Sequence, residues 1–595
     1  MFNKLTKATK HTNSWQRTAR AAGISRKGAK PQRGIEEKRG KEDGGKENEG
    51  NSKSASEQLR VSKLSAISLL RVDLYSFPPF SFLQFFLSFV PLRLCALARR
   101  IQTAVPNHCR PAPRPFGNKS LVAIHCPLLI LFLVLFAGCS PDASTSQHDT
   151  GKRLAGVKLR LVVVDDPAIA TAIRRLKDEW NAQTGAQVEV IETSEKQIVE
   201  AAPLPGDAVI CPEYLLGPLA EANRLAPVPR SIARDPKGPW SQTFELLRNQ
   251  EAAWGNEVYG VPLGSSVFCC YYRADLLEKL HRKPPQTWRE YEELARLLRE
   301  DGAKCGTVEP LARGWAGLVL LARVAAYAKE RDNYTTLFDE KTLEPAIAGP
   351  PFVRALEELV ATAKLGPAEA LDFDPTAVRE EFWKGNAAMA ISWPTGARTF
   401  TPGPSPKKGE GRVVIAGFAE LPGATEVYRA SSNTWEPRTD DAGQSVPLLG
   451  VAGRMGLVRA ESEHADAAFE LLLWLTDPQW ASQVFAASPA TTLFRSGQVA
   501  SPKAWVESNV SATAARQYAE QTAETLARRQ FLASLRLPGR ADYLAALDRA
   551  VQAAVRGKQK PAEALNAAAI EWCQINKRLG VERQKAAYLH SLGLQ

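Results

Sequence analysis

The chain has 595 residues, 44% of them apolar and 24% charged, with a formal net charge of +12. These proportions fit a globular protein and exclude a disordered or fibrous one, and nine cysteines are too few for a disulfide-built scaffold. Residues 1–119 hold 23 basic and 8 acidic side chains while the other 476 hold 53 and 56, so charge alone gives no ground to read the long remainder as a nucleic-acid binder.

Residues 1–118 read as an upstream segment that does not fold alone. Up to about Arg60 it is polar and rich in Gly, Lys and Glu, with too little apolar surface to offset chain entropy. Residues 76–92 are Phe-rich, but Pro78, Pro79 and Pro91 cut the run far short of the roughly 20 residues a membrane helix needs. In 119–138, Lys119 precedes an uncharged apolar run with the layout of a secretory signal; an uncleaved membrane anchor is the alternative. Phe136-Ala137-Gly138-Cys139 resembles the lipobox of bacterial lipoproteins, in which the cysteine becomes the lipidated first residue. Cys139 is then the expected lipidation site, and residues 139–156 a flexible tether. The only methionines are Met1, Met389 and Met455, so a start close to this signal requires a non-AUG codon, with Val105 a candidate.

Residues 159–164 form a nearly continuous apolar run, as in a strand buried on both faces. Asp166 is placed to cap a helix with Pro167 at its first position. Ile169, Ile173, Leu176 and Trp180 follow on one helical face, and Gly185 closes the helix. Residues 187–191 alternate as the next strand. This strand–helix–strand order predicts a parallel sheet and an α/β fold.

The pattern continues with a strand over 207–211 and a short helix over 215–222. Residues 258–272 are extended and broken by glycines. Thr287 and Glu290 have capping-box spacing before a helix that turns Tyr291, Leu294 and Leu298 inward. Helices are predicted over 352–363 and from Asp374 to Gly385, and strands over 387–392 and 413–418. Residues 402–411 and 430–446 are loops. After a strand over 448–458 the chain turns helical, over 465–476, 503–533, 541–556 and 562–578.

The search for chemistry is mostly negative. His148, His281, His464 and His590 have no partner at metal-ligand spacing. There is no G-x-S-x-G and no phosphate-binding Walker loop, so neither metal nor cofactor is expected. Asp165 and Asp166 sit together at a strand's carboxyl end, where open α/β sheets bind ligands. Two carboxylates also suit a glycosidase. Capping accounts for Asp166 and leaves Asp165 as the ligand candidate. Cys269 and Cys270 are strand neighbours facing opposite ways, as buried thiols do. Trp180, Trp288, Trp474 and Trp572 take core-facing positions. Trp254, Trp315, Trp393 and Trp435 stand near glycines, prolines or segment ends, where they suit either packing or stacking on a sugar ring.

Several stretches, in order, resemble the family-1 extracellular solute-binding proteins of ABC transporters. They are Glu257–Gly264, Tyr271-Tyr272-Arg273-Ala274-Asp275, Pro285–Trp288, Phe382–Ala390, Leu421-Pro422-Gly423, Ala467–Asp477 and Pro561–Leu565. Arg273 departs from the asparagine usual in the second stretch. The resemblance implies two α/β lobes joined by hinge strands, in the type 2 periplasmic-binding-protein architecture with a helical C-terminal region. The first lobe would take 157–268 and the second 269–412. The chain would return to the first over 413–450, and to the second, with the C-terminal helices, over 451–595. The cleft between the lobes would draw on Asp165, Glu213, Tyr214, Ser265, Ser266, Trp315 and Trp393, with Trp435 and Arg454 completing the candidate set.

By the same resemblance the protein would be a monomeric, lipid-anchored receptor facing the periplasm. It would bind a small solute, foremost a sugar or oligosaccharide, and deliver it to an ABC transporter permease. No nucleic acid would be involved and no bond made or broken. The alternatives are a glycan-active enzyme using Asp165 or Glu213, and a sensor presenting its ligand to a signalling receptor.

Overall fold

A computed structural model describes residues 152–330, 333–397, 414–438 and 445–594. The upstream segment 1–118, the signal 119–138, Cys139, tether residues up to 151 and the loop 402–411 lie outside the described residues.

The strands in chain order are β1 (Lys158–Val164), β2 (Gln187–Thr193), β3 (Ala208–Cys211), β4 (Ala253–Trp254), β5 (Glu257–Val258), β6 (Gly260–Ser266) and β7 (Cys269–Arg273). They continue with β8 (Cys305–Val308), β9 (Ala387–Ser392), β10 (Ala416–Glu420), β11 (Glu426–Arg429), β12 (Thr434–Pro437), β13 (Leu448–Leu449), β14 (Ala452–Val458) and β15 (Leu532–Ala533).

Two sheets organise them, one per lobe. The first has the order β2-β1-β3-β14-β6. β1 runs parallel to β2 and β3, while β14 is antiparallel to β3 and β6. Every residue from Leu161 to Val164 is buried, as the apolar run requires. The second sheet has the order β10-β7-β9-β8, with β7 antiparallel to both neighbours and β8 parallel to β9.

Local signals are realised closely. The helix Pro167–Thr184 carries Asp166 as cap, its Oδ1 accepting from the Ile169 N–H at 3.2 Å, and Gly185 ends it in the left-handed region at φ 86°. Ile169, Ile173, Leu176 and Trp180 are all buried. In the helix Trp288–Glu300 the Thr287 hydroxyl accepts from the Glu290 N–H. The Glu290 carboxylate reaches back to the Gln286 N–H, one residue before the cap.

The assignment of segments to lobes needs two corrections. Residues 413–450 were expected to rejoin the first lobe, yet β10 pairs with β7 in the second sheet, where Phe418 packs its ring against Tyr271. Only after the β11–β12 hairpin does the chain cross back. Residues 451–595 were expected to open in the second lobe, yet β14 is inserted between β3 and β6 of the first. Met455, Leu457 and Val458 are buried there, so burial on both faces fixes the strand's place. The helix predicted over 503–533 is also shorter. Pro502–Trp505 is a single 3-10 turn, and the helix Ala512–Thr525 starts anew where the Ser511 hydroxyl accepts from the Ala514 N–H.

That helix packs on β10, and Arg540–Val555 packs on the helices Ala316–Ala328 and Pro350–Ala363, all in the second lobe. The last helix, Val581–Ser591, returns to touch β4 and the helix Leu216–Glu221. Among the described residues no helix is long and apolar enough to cross a membrane. Cys211, Cys269, Cys270, Cys305 and Cys573 are free thiols, all but Cys573 buried.

Candidate functional site

Past the end of β1, Asp165 adopts φ 46°, a left-handed conformation that Asp tolerates better than most residues. Its N–H donates to the Thr193 carbonyl at 3.0 Å, and its Oδ2 accepts from the Glu195 N–H at 2.8 Å. Glu195 Oε2 in turn accepts from the Tyr214 hydroxyl at 2.7 Å. The Arg540 guanidinium lies 3.8 Å from the Tyr214 ring centroid, a cation–π stack. Tyr214 follows β3 of the first lobe and Arg540 opens a helix of the second, so this contact spans the lobes.

Two turns along that helix, Asp548 accepts from the Gly314 N–H at 2.6 Å and the Gly317 N–H at 2.8 Å. These bonds satisfy donors that the start of the helix Ala316–Ala328 would otherwise leave open, and they fix the position of Trp315. Asp165 is exposed, while Glu195, Tyr214, Arg540 and Trp315 are half-buried. The result is an accessible patch, drawn from both lobes, of carboxylates, a phenol, a guanidinium and an indole.

Behind the patch lies buried charge. Glu213 is wholly buried, and neither carboxylate oxygen has a hydrogen-bond partner. A Cβ added at Gly453 would meet the Gly264 carbonyl at 2.8 Å and Glu213 Oε2 at 3.1 Å, so this approach of strands and carboxylate requires glycine. Burial pushes the Glu213 carboxyl upward, against the lowering influence of Arg540, Arg454 and Arg536. Glu251 accepts from the Ser265 hydroxyl at 2.8 Å and from the Gly450 N–H at 3.1 Å. Burial first, and then the neighbouring Glu213 charge, push Glu251 up to about 7.

A carboxyl raised from 4.5 in this way contributes stability that is complete below about pH 4.5 and is lost as pH rises through about 7. Glu251→Gln keeps the acceptor without the charge. Thermal melts at pH 5 and pH 8 should show the variant losing less stability than the native chain over that interval, by about 2 kcal/mol. Equal losses would contradict the assignment.

The other residues singled out by sequence divide. Arg454 Nε pairs with Asp166 Oδ2 at 2.9 Å, and the same oxygen accepts from the Ser488 hydroxyl at 2.6 Å. Ser265 and Ser266 are fully buried and already engaged, with Glu251 and with the Ala490 carbonyl. Trp393 is 3% exposed and donates its Nε1–H to the Pro489 carbonyl at 3.0 Å. Its ring lies 5.6 Å from Trp315, so the two indoles form one cluster at the patch. Trp435 is elsewhere, in the β11–β12 hairpin, against Tyr327 and the Arg354 guanidinium. Structure thus joins Asp165, Glu213, Tyr214, Trp315, Trp393 and Arg454 around one seam and leaves Trp435 out. Sequence reasoning missed Glu195, Glu251, Arg536, Arg540 and Asp548; none belongs to a local motif. Among the described residues no group of three or more His, Cys, Asp and Glu could hold a metal ion.

The family described as bacterial extracellular solute-binding protein matches residues 166–482. Among solved structures, the chain is similar to the sugar-binding protein MalE from the phytopathogen Xanthomonas citri, with TM-score 0.55 and 20% identity over 72% of this chain and 100% of that one. It is also similar to an ABC transporter solute-binding protein from Agrobacterium radiobacter in complex with ribitol, with TM-score 0.52 and 18% identity over 71% and 100%. Maltose-bound MalE3 of T. maritima gives TM-score 0.51 and 18% identity over 70% and 100%. At these identities the solved structures establish a common fold.

Proposed function

The chain belongs to the bacterial extracellular solute-binding proteins, and from that premise we propose that it holds a saccharide between its lobes and hands it to an ABC permease. The observation that carries this reading is the Arg540–Tyr214 stack across the lobes, flanked by Glu195, Asp165 and Trp315. Carboxylates accept hydrogen bonds from sugar hydroxyls, and indole and phenol rings cover the apolar faces of the sugar. The ribitol and maltose bound to the similar structures favour a polyhydroxylated solute.

A ligand touching Tyr214 and Arg540 together has a higher affinity for the closed arrangement, and that difference sets how far it shifts the lobes. The protein's own residues position the solute and make or break no bond. Cys139 carries the lipid that keeps the receptor at the membrane. The chain acts as a monomer.

Titration calorimetry with a saccharide that raises the melting temperature tests the assignment. Arg540→Ala and Tyr214→Ala should each weaken binding by about 10-fold or more. Trp435→Ala, outside the patch, should leave affinity unchanged. Unaltered affinity in Arg540→Ala would overturn the site.

A further inference from the structure

A cavity of about 1330 Å³ lies away from the interlobe patch. It lies between the β11–β12 hairpin, the chain leaving the helix Ala316–Ala328, the segment 527–537 and the final helix. None of the nine binding residues expected from sequence lines it. Its described lining carries Lys329, Arg429, Arg438, Arg528, Arg529 and Arg536 with the acids Glu330 and Glu524, and just outside the lining Glu436 pairs with Arg429 and Glu420 with Arg528. That concentration of positive charge stands out because residues 120–595 hold 53 basic and 56 acidic side chains.

Two of these cations matter most. Lys329 is half-buried, and its Nζ donates to the backbone carbonyls of Asn333 at 2.8 Å and Tyr334 at 3.1 Å, with no carboxylate partner. Arg529 is exposed and makes no hydrogen bond or ion pair among the described residues. Glu330, the acid nearest Lys329 in sequence, is taken by Arg429 at 3.2 Å. Beside them the Tyr334 ring is 63% exposed, an aromatic face open at the cavity wall. Gln250, Asn333, Ser534 and Ser591 supply amides and hydroxyls.

We propose that this groove is a second binding site and that it takes an acidic oligosaccharide, with sugar carboxylates on Lys329 and Arg529 and a sugar ring on Tyr334. A guanidinium presents paired N–H donors that match a carboxylate. Low-dielectric walls around like charges focus the field on an incoming anion. The volume exceeds the roughly 300–1,000 Å³ typical of a drug-sized ligand, which favours an oligomer over a single sugar. The exposed ring and the amide-rich lining favour a saccharide over a bare inorganic anion. This site does not depend on the interlobe reading, and separate variants probe each.

The test is titration of the full chain with tetragalacturonate, with neutral maltotetraose and inorganic phosphate as comparisons. The expected result is saturable binding of the uronate alone, weakening several-fold as salt rises from about 0.05 to 0.5 M. Arg529→Gln and Tyr334→Ala, both at exposed positions, should each weaken it by about 10-fold. Arg540→Ala should leave it within about twofold. Absence of saturable binding, equal binding of maltotetraose or phosphate, or insensitivity to both groove variants would overturn the proposal. Loss of uronate binding in Arg540→Ala with the groove variants unaffected would place the anion between the lobes instead, and would overturn it equally.

Discussion

Trp393→Ala should destabilise the protein by about 3–5 kcal/mol without any ligand present. The indole is almost fully buried, and its neighbours are two aromatic rings, Trp315 and Phe268, at 5.6 and 5.7 Å. Truncation leaves a cavity among rigid rings that close only partly over it. It also strands the Pro489 carbonyl, which accepts the indole N–H. Arg379 also lies 5.7 Å from the ring and is paired with the buried Glu507 at 3.6 Å. Loss of the indole therefore opens a charged pair to rearrangement. A tryptophan serving only as a platform for sugar would behave otherwise, with ligand-free stability unchanged and affinity alone reduced. Chemical denaturation of the ligand-free variant distinguishes the two.

Asp166→Ala should cost about 3–5 kcal/mol, because one carboxylate serves three partners. One oxygen caps the first helix, and the other holds Arg454 and Ser488. Both members of the Asp166–Arg454 pair are largely excluded from water, with side-chain exposures of 3% and 11%. Removing the acid alone leaves the guanidinium without its counter-charge, the condition that makes breaking a buried pair costly. Asp166→Ala combined with Arg454→Met should recover part of the loss, since the orphaned cation is removed with its partner. A double-mutant cycle read by denaturation measures this coupling. Strict additivity would show that the pair acts as two independent residues.

These two residues also show what sequence can reveal. The cap role of Asp166 was legible because it depends on its own chain neighbours, the Pro167 start and the Ile169 N–H. The parallel β1–β2 unit was legible for the same reason. The partners of Arg454 were not, since Asp166 lies 288 residues away along the chain. The same limit explains the misplaced β10 and β14. Each reads as a strand from its apolar residues, but only pairing with β7, or with β3 and β6, decides its lobe. Arg540 stands at the start of a correctly expected helix, and nothing nearby marks it as reaching the Tyr214 ring. Trp435 illustrates the converse. Its place near loops suggested ligand contact, and it instead packs beside Arg354 in a hairpin.

The central claim is that a solute is held between the lobes and released unchanged. Equilibrium titration of the full chain with a malto-oligosaccharide series, followed by recovery and analysis of the ligand, tests it most directly. Saturable one-to-one binding, intact ligand on recovery and at least about a tenfold loss of affinity in Arg540→Ala are expected. Shortened saccharide on recovery, or saturable binding indifferent to Arg540, would contradict it.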